Sequence, residues 1–514
     1  MLKITGKIYT GLIDPATTDA VLIDDDGVIA AVGADAMRVE AREIVLDERV
    51  AVPGFIDAHM HLEGLAQQLT RLDLADARSL DHVLSRVAER VRVYPRDRVI
   101  LGTAWDESNW AEPEMPTREG IDRVAPHHAV ILRRVDGHLW VINSEALCRV
   151  AAREDLTDEQ RKRLKAVRGD GELREDDISL AAPLAAMRPE QLREGLLAAM
   201  RHALSLGATT LQDMGSVTLG DRVSEAPATV FDWLTELDRE GELPLRVVAA
   251  LRLSSLDEDN PGASFEKLRG KMLYPGAVKL FLDGSIGAQT AAISEPFNDD
   301  PGNTGRLLWD EGDLERVVER LHVAGLQLAL HAIGDRAIRQ ALDVLGRVLE
   351  RHPKRDHRHR IEHVEIITAE LIEKMSELGV IASMQPNFVG RWHNPGGLYD
   401  MRLGDRTGTL NPLRSILDAG IPLAFGSDGM PFDPLYGIRS AMNHPTAEER
   451  LGFTQALRAY TLTAAFAGRI DRITGSLEPG KHADVVLLSG DPATRESVTV
   501  QQVYLAGKRR FPSE

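Results

Sequence analysis

The sequence predicts an α/β protein built on a closed parallel (β/α)8 TIM barrel, with a discontinuous N-/C-terminal β-sandwich domain and a large insertion after strand 1. Three observations predict it. Eight short apolar strand candidates alternate with helical segments between residues 50 and 467. β-Branched runs bounded by turn residues occupy both chain ends. One gap, residues 62–205, is far longer than a strand-to-strand crossover and must hold an inserted subdomain. An open doubly wound sheet shares the local signature of the first observation.

At the N-terminal end the β-branched runs are Lys3 to Tyr9, Val21 to Asp24, Val28 to Val32 and Ile44 to Leu46, with Asp25, Asp26 and Gly27 as a hairpin turn. Near the other end Asp484 to Leu488 and Val500 to Leu505 read as strands, followed by a turn at Ala506, Gly507 and Lys508. A stable sheet needs three or more strands with one apolar face, so residues 1–52 and 470–514 are expected to share one composite β-sandwich. Residues 53–469 then form the barrel, with the inserted subdomain at about 62–190 on its mouth. The barrel strands are expected at Val50–His61, Ala208–Asp213, Leu245–Leu251, Ala277–Asp283, Leu326–His331, Arg360–Val364, Val380–Gln385 and Pro422–Asp428. The 3.6-residue periodicity predicts helices at Glu190–Leu206, Thr229–Glu240, Leu314–Ala324, Arg336–Glu350, Ala369–Leu378, Leu413–Ala419 and Phe453–Ala467. Within the insertion, Arg153–Asp177 is nearly all charge and reads as a solvated helical connection.

Composition narrows the function. With 514 residues, 43% of them hydrophobic and 27% charged, the chain can bury a large core and is neither fibrous nor disordered. The single cysteine, Cys148, cannot form an intramolecular bridge and suits a reducing compartment. The opening MLKITGKIYT lacks the apolar run of a signal peptide, and no stretch approaches the ~20 apolar residues of a spanning helix. A soluble, cytoplasmic protein is expected. A net charge of −18 opposes attraction to nucleic acid or anionic lipid, so neither is an expected partner.

Alternation along each strand should place every second side chain inside the barrel. In the first strand Phe55, Asp57, His59 and His61 share a face opposite Ile56, Ala58 and Met60. Lys279, Phe281 and Asp283 share one on the fourth strand, His331 follows Ala329 on the fifth, and Asp428 follows Gly426 on the eighth. The sixth strand would put Ile361 and His363 inside and turn Glu362 outward, an orientation with no physical reason behind it. The interior set is four histidines, a lysine and an aspartate at the C-terminal strand ends, where barrel enzymes keep their active sites. Six buried polar groups in one mouth need a common partner, and a divalent metal supplies it. His59 and His61 lie about 6.6 Å apart along the strand and lean the same way, so both rings can converge on one ion. Imidazoles and carboxylates suit zinc, with manganese, iron or nickel as alternatives. A buried Lys279 beside cations must be deprotonated, paired with Asp283 or Asp428, or altered chemically, as by carbamylation.

The motifs P-G-F-I-D-A-H-M-H at 53–61, V-K-L-F-L-D-G-S-I-G at 278–287, L-H-A-I-G-D-R-A at 330–337, I-E-H at 361–363 and F-G-S-D at 425–428 resemble those of the metal-dependent amidohydrolase superfamily. G-T-A-W-D-E-S-N-W at 102–110, D-G-H at 136–138, N-S-E-A-L at 143–147, M-Q-P-N-F at 384–388 and G-S-L-E-P-G-K-H-A-D-V-V at 475–486 are similar to the branch containing N-substituted formamide deformylases, the amidohydrolase family 3 type. The resemblance covers nearly the whole chain. It implies that His59, His61 and Asp428 hold one metal, that His331 and His363 hold another, and that Lys279, carbamylated by carbon dioxide, bridges them, with one or two Zn2+ per chain. Three features depart from the pattern: Gly429 after Asp428, a shortened segment around His444–Arg450, and the charged Arg153–Asp177 stretch, where relatives more often carry a Gly/Pro-rich loop.

The expected activity is hydrolysis of a non-peptide carbon–nitrogen bond in a small amide, N-formyl or N-acyl compound or cyclic amide by a metal-activated hydroxide. Asp428 would be the catalytic base and then acid. Candidate substrate contacts are Trp105, Asp106, Trp110, Asp136 and His138, with Asp283 and Gln385 nearer the metals; three of the six tryptophans fall between 105 and 140, which suggests an apolar lid. Two other readings compete: deamination of a nucleobase-like ring at one metal, against which Lys279 argues, and an inactive regulatory barrel, whose signature would be lost ligands. A homodimer is a further expectation from the resemblance.

Overall fold

In the computed structural model, the described residues are 1–512 apart from 108–109, 135–138, 168, 170, 175–176, 186–188, 216–229, 254–255, 257–259 and 267. The chain divides into two compact units, Met1–Glu63 with Ala199–Glu514, and Gly64–Ala198.

The first unit contains the barrel. Its eight strands are Phe55–Met60, Ala208–Asp213, Arg246–Arg252, Leu273–Phe281, Leu328–Ala332, Arg360–His363, Ile381–Met384 and Leu423–Phe425. They pair in chain order, and every neighbouring pair is parallel. The fold is therefore a (β/α)8 barrel. Closure between the eighth and first strands is made by the turn after Phe425. There the Asp428 N–H donates to the His59 carbonyl at 2.7 Å, and the Ser427 N–H donates to the Asp57 carboxylate at 3.1 Å. Gly426 is required at this seam, because a Cβ there would lie 2.3 Å from the His59 backbone nitrogen.

Two expected elements are broken, each by a hydrogen-bonding demand. The strand expected over Val50–His61 divides at Gly54 into Val50–Pro53 and Phe55–Met60. The first piece pairs antiparallel with Val485–Leu488, whereas the second pairs parallel with Ala208–Asp213. At the switch the Gly54 N–H donates to the Asp484 carbonyl, and a Cβ on Gly54 would meet Thr209 at 2.2 Å. The helix expected over Phe453–Ala467 divides into Phe453–Ala459 and Leu462–Ala467. Between them the Tyr460 carbonyl accepts from the Ile56 N–H at 2.7 Å, so the break satisfies the first barrel strand.

Strands from both chain ends form one eight-stranded sheet. Its order runs from Lys508–Phe511 through Val500–Leu505, Val485–Leu488, Val50–Pro53, Leu2–Tyr9 and Thr17–Ile23 to Ile29–Val32, with Arg42–Val45 pairing beside Leu2–Tyr9. The sheet covers a core of Ile4, Ile8, Val21, Ile23, Leu46, Val485 and Leu487. Arg246, on the third barrel strand, pairs with Asp484 at the start of this region, both almost fully buried.

The second unit has a five-stranded sheet of its own, ordered Glu172–Arg174, Leu139–Ile142, Val130–Arg134, Ile100–Trp105 and Leu72–Asp73. Among the described residues of the charged stretch, Asp158–Ala166 is a helix, with a capping box between Thr157 and Gln160, and Glu172–Arg174 is a strand. Leu164 on that helix enters an apolar core with Leu156, Val150 and Ile131. Among the described residues, no helix is long and apolar enough to cross a membrane.

Candidate metal centre

The barrel brings the six interior candidates to one place. His59 is fully buried at the end of the first strand, and His61 follows it on the same face. Their rings are 5.4 Å apart, His59 and His363 are 4.8 Å apart, and His363 and His331 are 4.4 Å apart, all between centroids. The four imidazoles thus form a continuous arc. Asp428 reaches it from the seam, its Oδ1 lying 3.3 Å from His61 Nε2 and 3.8 Å from His59 Nε2. The backbone of Asp428 is left-handed, at φ +53°, which an aspartate tolerates better than most residues. Lys279, 2% exposed, points inward with its Nζ 4.8 Å from the Phe281 ring centroid.

The electrostatics favour neutral donors. Burial first, and then the charge of Lys279, push His61 down to about 4 and His331 down to about 3. His59 is held well below its ordinary range by the same two causes, and His363 by burial and its histidine neighbours. Lys279 is pushed down to about 8 by burial, against the pull of Glu362 and Asp428. Burial raises Asp428 to about 7, against the opposing charge of Lys279.

Every ring is held from behind by an acceptor. His61 Nδ1 donates to the Gly215 carbonyl at 2.5 Å, His331 Nε2 to the Gly284 carbonyl at 2.9 Å, and His363 Nδ1 to Gln385 Oε1 at 2.6 Å. His59 Nδ1 donates to Glu362 Oε2, also at 2.6 Å. These contacts leave one lone pair on each imidazole. The outer contacts fix the tautomers, as they do for histidines that bind metals.

The donor set fits a divalent ion. His59 Nε2 and Lys279 Nζ are buried with no hydrogen-bond partner among the described residues, an arrangement that is costly unless something else binds them. His59, His61 and Asp428 offer ligand atoms that all lie within 4.8 Å of one another. Imidazole nitrogens with a carboxylate oxygen suit zinc and its neighbours in the first transition row.

Glu362 corrects the parity argument. It lies inside the barrel, fully buried, and Arg360 two residues earlier points the same way. The Arg360 guanidinium also donates to Gln212 Oε1, Ser383 Oγ and the Ala58 carbonyl, each at 2.6 Å. His363 reaches the mouth because its backbone is left-handed, at φ +78°, which breaks the alternation after Glu362. Apolar patterning could not have signalled this, because Ile381 stands in register with Arg360 and Ala424 with Ser383, so apolar residues of other strands share the inward face. Sequence reasoning also missed Arg252, at the end of the third strand in register with Lys279, with its guanidinium 5.1 Å from the Phe281 ring centroid.

The expected substrate contacts fare differently. Asp283 is fully buried, and its carboxylate accepts from the Ala292, Ile333 and Gly334 N–H groups at 2.9, 3.1 and 2.9 Å. It therefore clasps the loops after the fourth and fifth strands. Gln385 sits behind His363. Trp105 and Trp110 are not an exposed lid; they lie in the apolar core of the second unit with Leu74, Val83 and Val130, and Trp110 Nε1 donates to the Ala77 carbonyl. Asp106 pairs with Arg134 at 3.4 Å. Asp136 and His138 lie outside the described residues.

A (β/α)8 barrel whose mouth gathers histidines, a lysine and an aspartate in this way defines the class of metal-dependent amidohydrolases. The chain belongs to the amidohydrolase family, whose family model matches residues 42–511, and it is a hydrolase of carbon–nitrogen bonds. It is 30% identical over 521 residues to YtcJ of Bacillus subtilis (strain 168), a protein named as an amidohydrolase, covering 95% of this chain and 94% of that one. It is 26% identical over 550 residues to the N-substituted formamide deformylase of Arthrobacter pascens, covering 99% and 98%. Among solved structures, an uncharacterized metal-dependent hydrolase from Pyrococcus furiosus superimposes with a TM-score of 0.75 at 28% identity, covering 96% of this chain and all of that one.

Proposed function

We propose that the protein hydrolyses a non-peptide carbon–nitrogen bond in a small amide, with N-formyl, N-acyl and cyclic amides as the candidate substrates. The observation that carries the reading is the convergence of His59, His61 and Asp428 within 4.8 Å around a buried Nε2 that has no hydrogen-bond partner. The similarity to a formamide deformylase supports the N-formyl class. His59, His61 and Asp428 would hold one divalent ion, zinc by preference, and His331 and His363 a second, with Lys279 as a carbamate between them. When bound, such ions lower the pKa of a coordinated water and polarise the scissile carbonyl.

The chain's own residues do the rest. The imidazoles, kept neutral by burial, present lone pairs rather than competing positive charge. Asp428 takes a proton on its carboxylate as the carbonyl is attacked and returns it to the leaving nitrogen. Its Oδ1, 3.3 Å from His61 Nε2, stands beside the ion for both halves of that exchange. A reducing, cytoplasmic setting suits the single thiol, Cys148.

A second reading, deamination of a ring at one ion, draws on a different observation. Among the described residues, His59, His61 and Asp428 are the one group of three donors close enough to hold an ion unaided. Zinc-loaded protein should be assayed against formamides, N-acyl amino acids and hydantoin-like rings, with metal measured per chain. Release of a carboxylate and an amine at about two ions per chain is the expected result. Ammonia from a ring amine at one ion favours the second reading, and fully loaded protein inert toward all three classes overturns the first.

A further inference from the structure

The four imidazoles differ in what stands behind them. His61 and His331 donate to backbone carbonyls and His363 to an amide oxygen, all neutral acceptors. His59 alone among the four donates to a carboxylate, that of Glu362. A carboxylate behind an imidazole gives the far nitrogen more anionic character than a carbonyl can, and so makes it a stronger metal donor.

The placement of Glu362 is over-determined. It and His59 are both fully buried, so their hydrogen bond is not diluted by water. The Arg360 guanidinium reaches both carboxylate oxygens of Glu362 from the same strand, two residues away. Arg360 is anchored in turn by Gln212 on the second strand, Ala58 on the first and Ser383 on the seventh. Four barrel strands therefore fix one carboxylate, and that carboxylate fixes one ring.

We propose that Glu362, held by Arg360, is the positioning residue of the metal centre: it locks His59 as the Nδ1–H tautomer, aims Nε2 at Asp428 and His61, and makes the ion held by these three residues the tighter bound of the two. The inference rests on the metal-dependent reading above and deepens it by ranking the two sites. The geometric readiness of His59, His61 and Asp428, whose ligand atoms already lie within 4.8 Å, agrees with that ranking.

The test is a zinc titration of metal-stripped protein in competition with a chromophoric chelator, for wild type and Glu362→Gln. Two classes of site are expected in wild type. In Glu362→Gln the tighter class should weaken by about 10–100-fold while the weaker class keeps its affinity. A fold-wide defect would move both classes together, so the selective loss separates positioning from structure. Since Glu362→Gln leaves Arg360 buried without its counter-charge, the double variant Arg360→Met with Glu362→Gln removes the pair as a unit and should give the same selective loss in protein that unfolds cooperatively. Wild-type affinities for both classes in the folded double variant overturn the inference and leave the metal-dependent reading standing. A wild-type protein that binds no zinc overturns both.

Discussion

The Nδ1 of His59 lies 2.6 Å from a carboxylate oxygen of Glu362, although 303 positions separate the two residues in the chain. The first strand meets the sixth across the barrel interior at this bond, and one residue of the H-x-H motif takes its orientation from it. The motif thus depends on a partner that local spacing does not reveal.

Asp428 carries the proton traffic in the proposed reaction. Asp428→Asn keeps an oxygen donor beside His61 but cannot accept the proton, so turnover should fall by about 10²–10⁴-fold. Most of the bound metal should remain. Steady-state kinetics on protein of measured metal content checks this, and unchanged turnover removes Asp428 from the role.

Gly426 touches the backbone of His59 so closely that no methyl group fits. Gly426→Ala should lower stability by about 1–3 kcal/mol through overpacking. It should also weaken zinc binding, because the group that must move is a donor residue. Thermal unfolding and the chelator titration report the two effects separately.

Asp283 clasps two loops through three backbone N–H groups. Asp283→Ala leaves three amides without their acceptor, each costing about 1–3 kcal/mol where it stays buried. The melting temperature should fall, and the segment after Asp283 should become sensitive to protease. A variant with wild-type stability and a raised KM would return Asp283 to the substrate.

A second histidine cluster predicts an acid-side loss of stability unrelated to the metal. His359 Nδ1 accepts from the Leu328 N–H at 3.1 Å, and its Nε2 lies 2.8 Å from His322 Nδ1. Burial first, then the charges of His357, His322, Arg469 and Lys354, keep its pKa well below the ordinary 6.5. The unfolded chain therefore binds a proton below pH 6.5 that the folded chain refuses. The stabilisation is whole above that pH and is lost as pH falls toward the folded value, at up to about 1.4 kcal/mol per pH unit. Urea unfolding of metal-loaded protein between pH 7.5 and 5.5 should give a shallower decline for His359→Gln than for wild type; equal slopes would exclude His359 as a source.

Much of the barrel was legible because its signals are local. The strand and helix alternation, the shared face of His59 and His61, and the C-terminal placement of Lys279 and His331 follow from a period of two along a strand and of 3.6 along a helix. By contrast, Ile56 and Ala58, expected against the helices, pack with Val248, Ile381 and Ala424, and Asp428 lies past the eighth strand in a left-handed turn. The failures mark where a local rule meets a distant demand. Gly54 splits a run of β-branched residues because two different sheets claim its halves. Tyr460 interrupts a helical pattern because Ile56 needs an acceptor. Trp105 and Trp110 carry no local sign of which core they fill.

The sequence by itself determined the repeating elements and the residue types that can bind a divalent ion, since both are written in nearest-neighbour spacing, and its motifs carried the resemblance to the amidohydrolases. Only the tertiary structure decided that Glu362 faces inward behind His59, that Asp283 holds two loops, and that Gln385 supports His363. Those assignments depend on which buried donor meets which acceptor across the barrel, and a buried polar group takes its partner from whatever the closed fold brings within about 3 Å, at any separation along the chain.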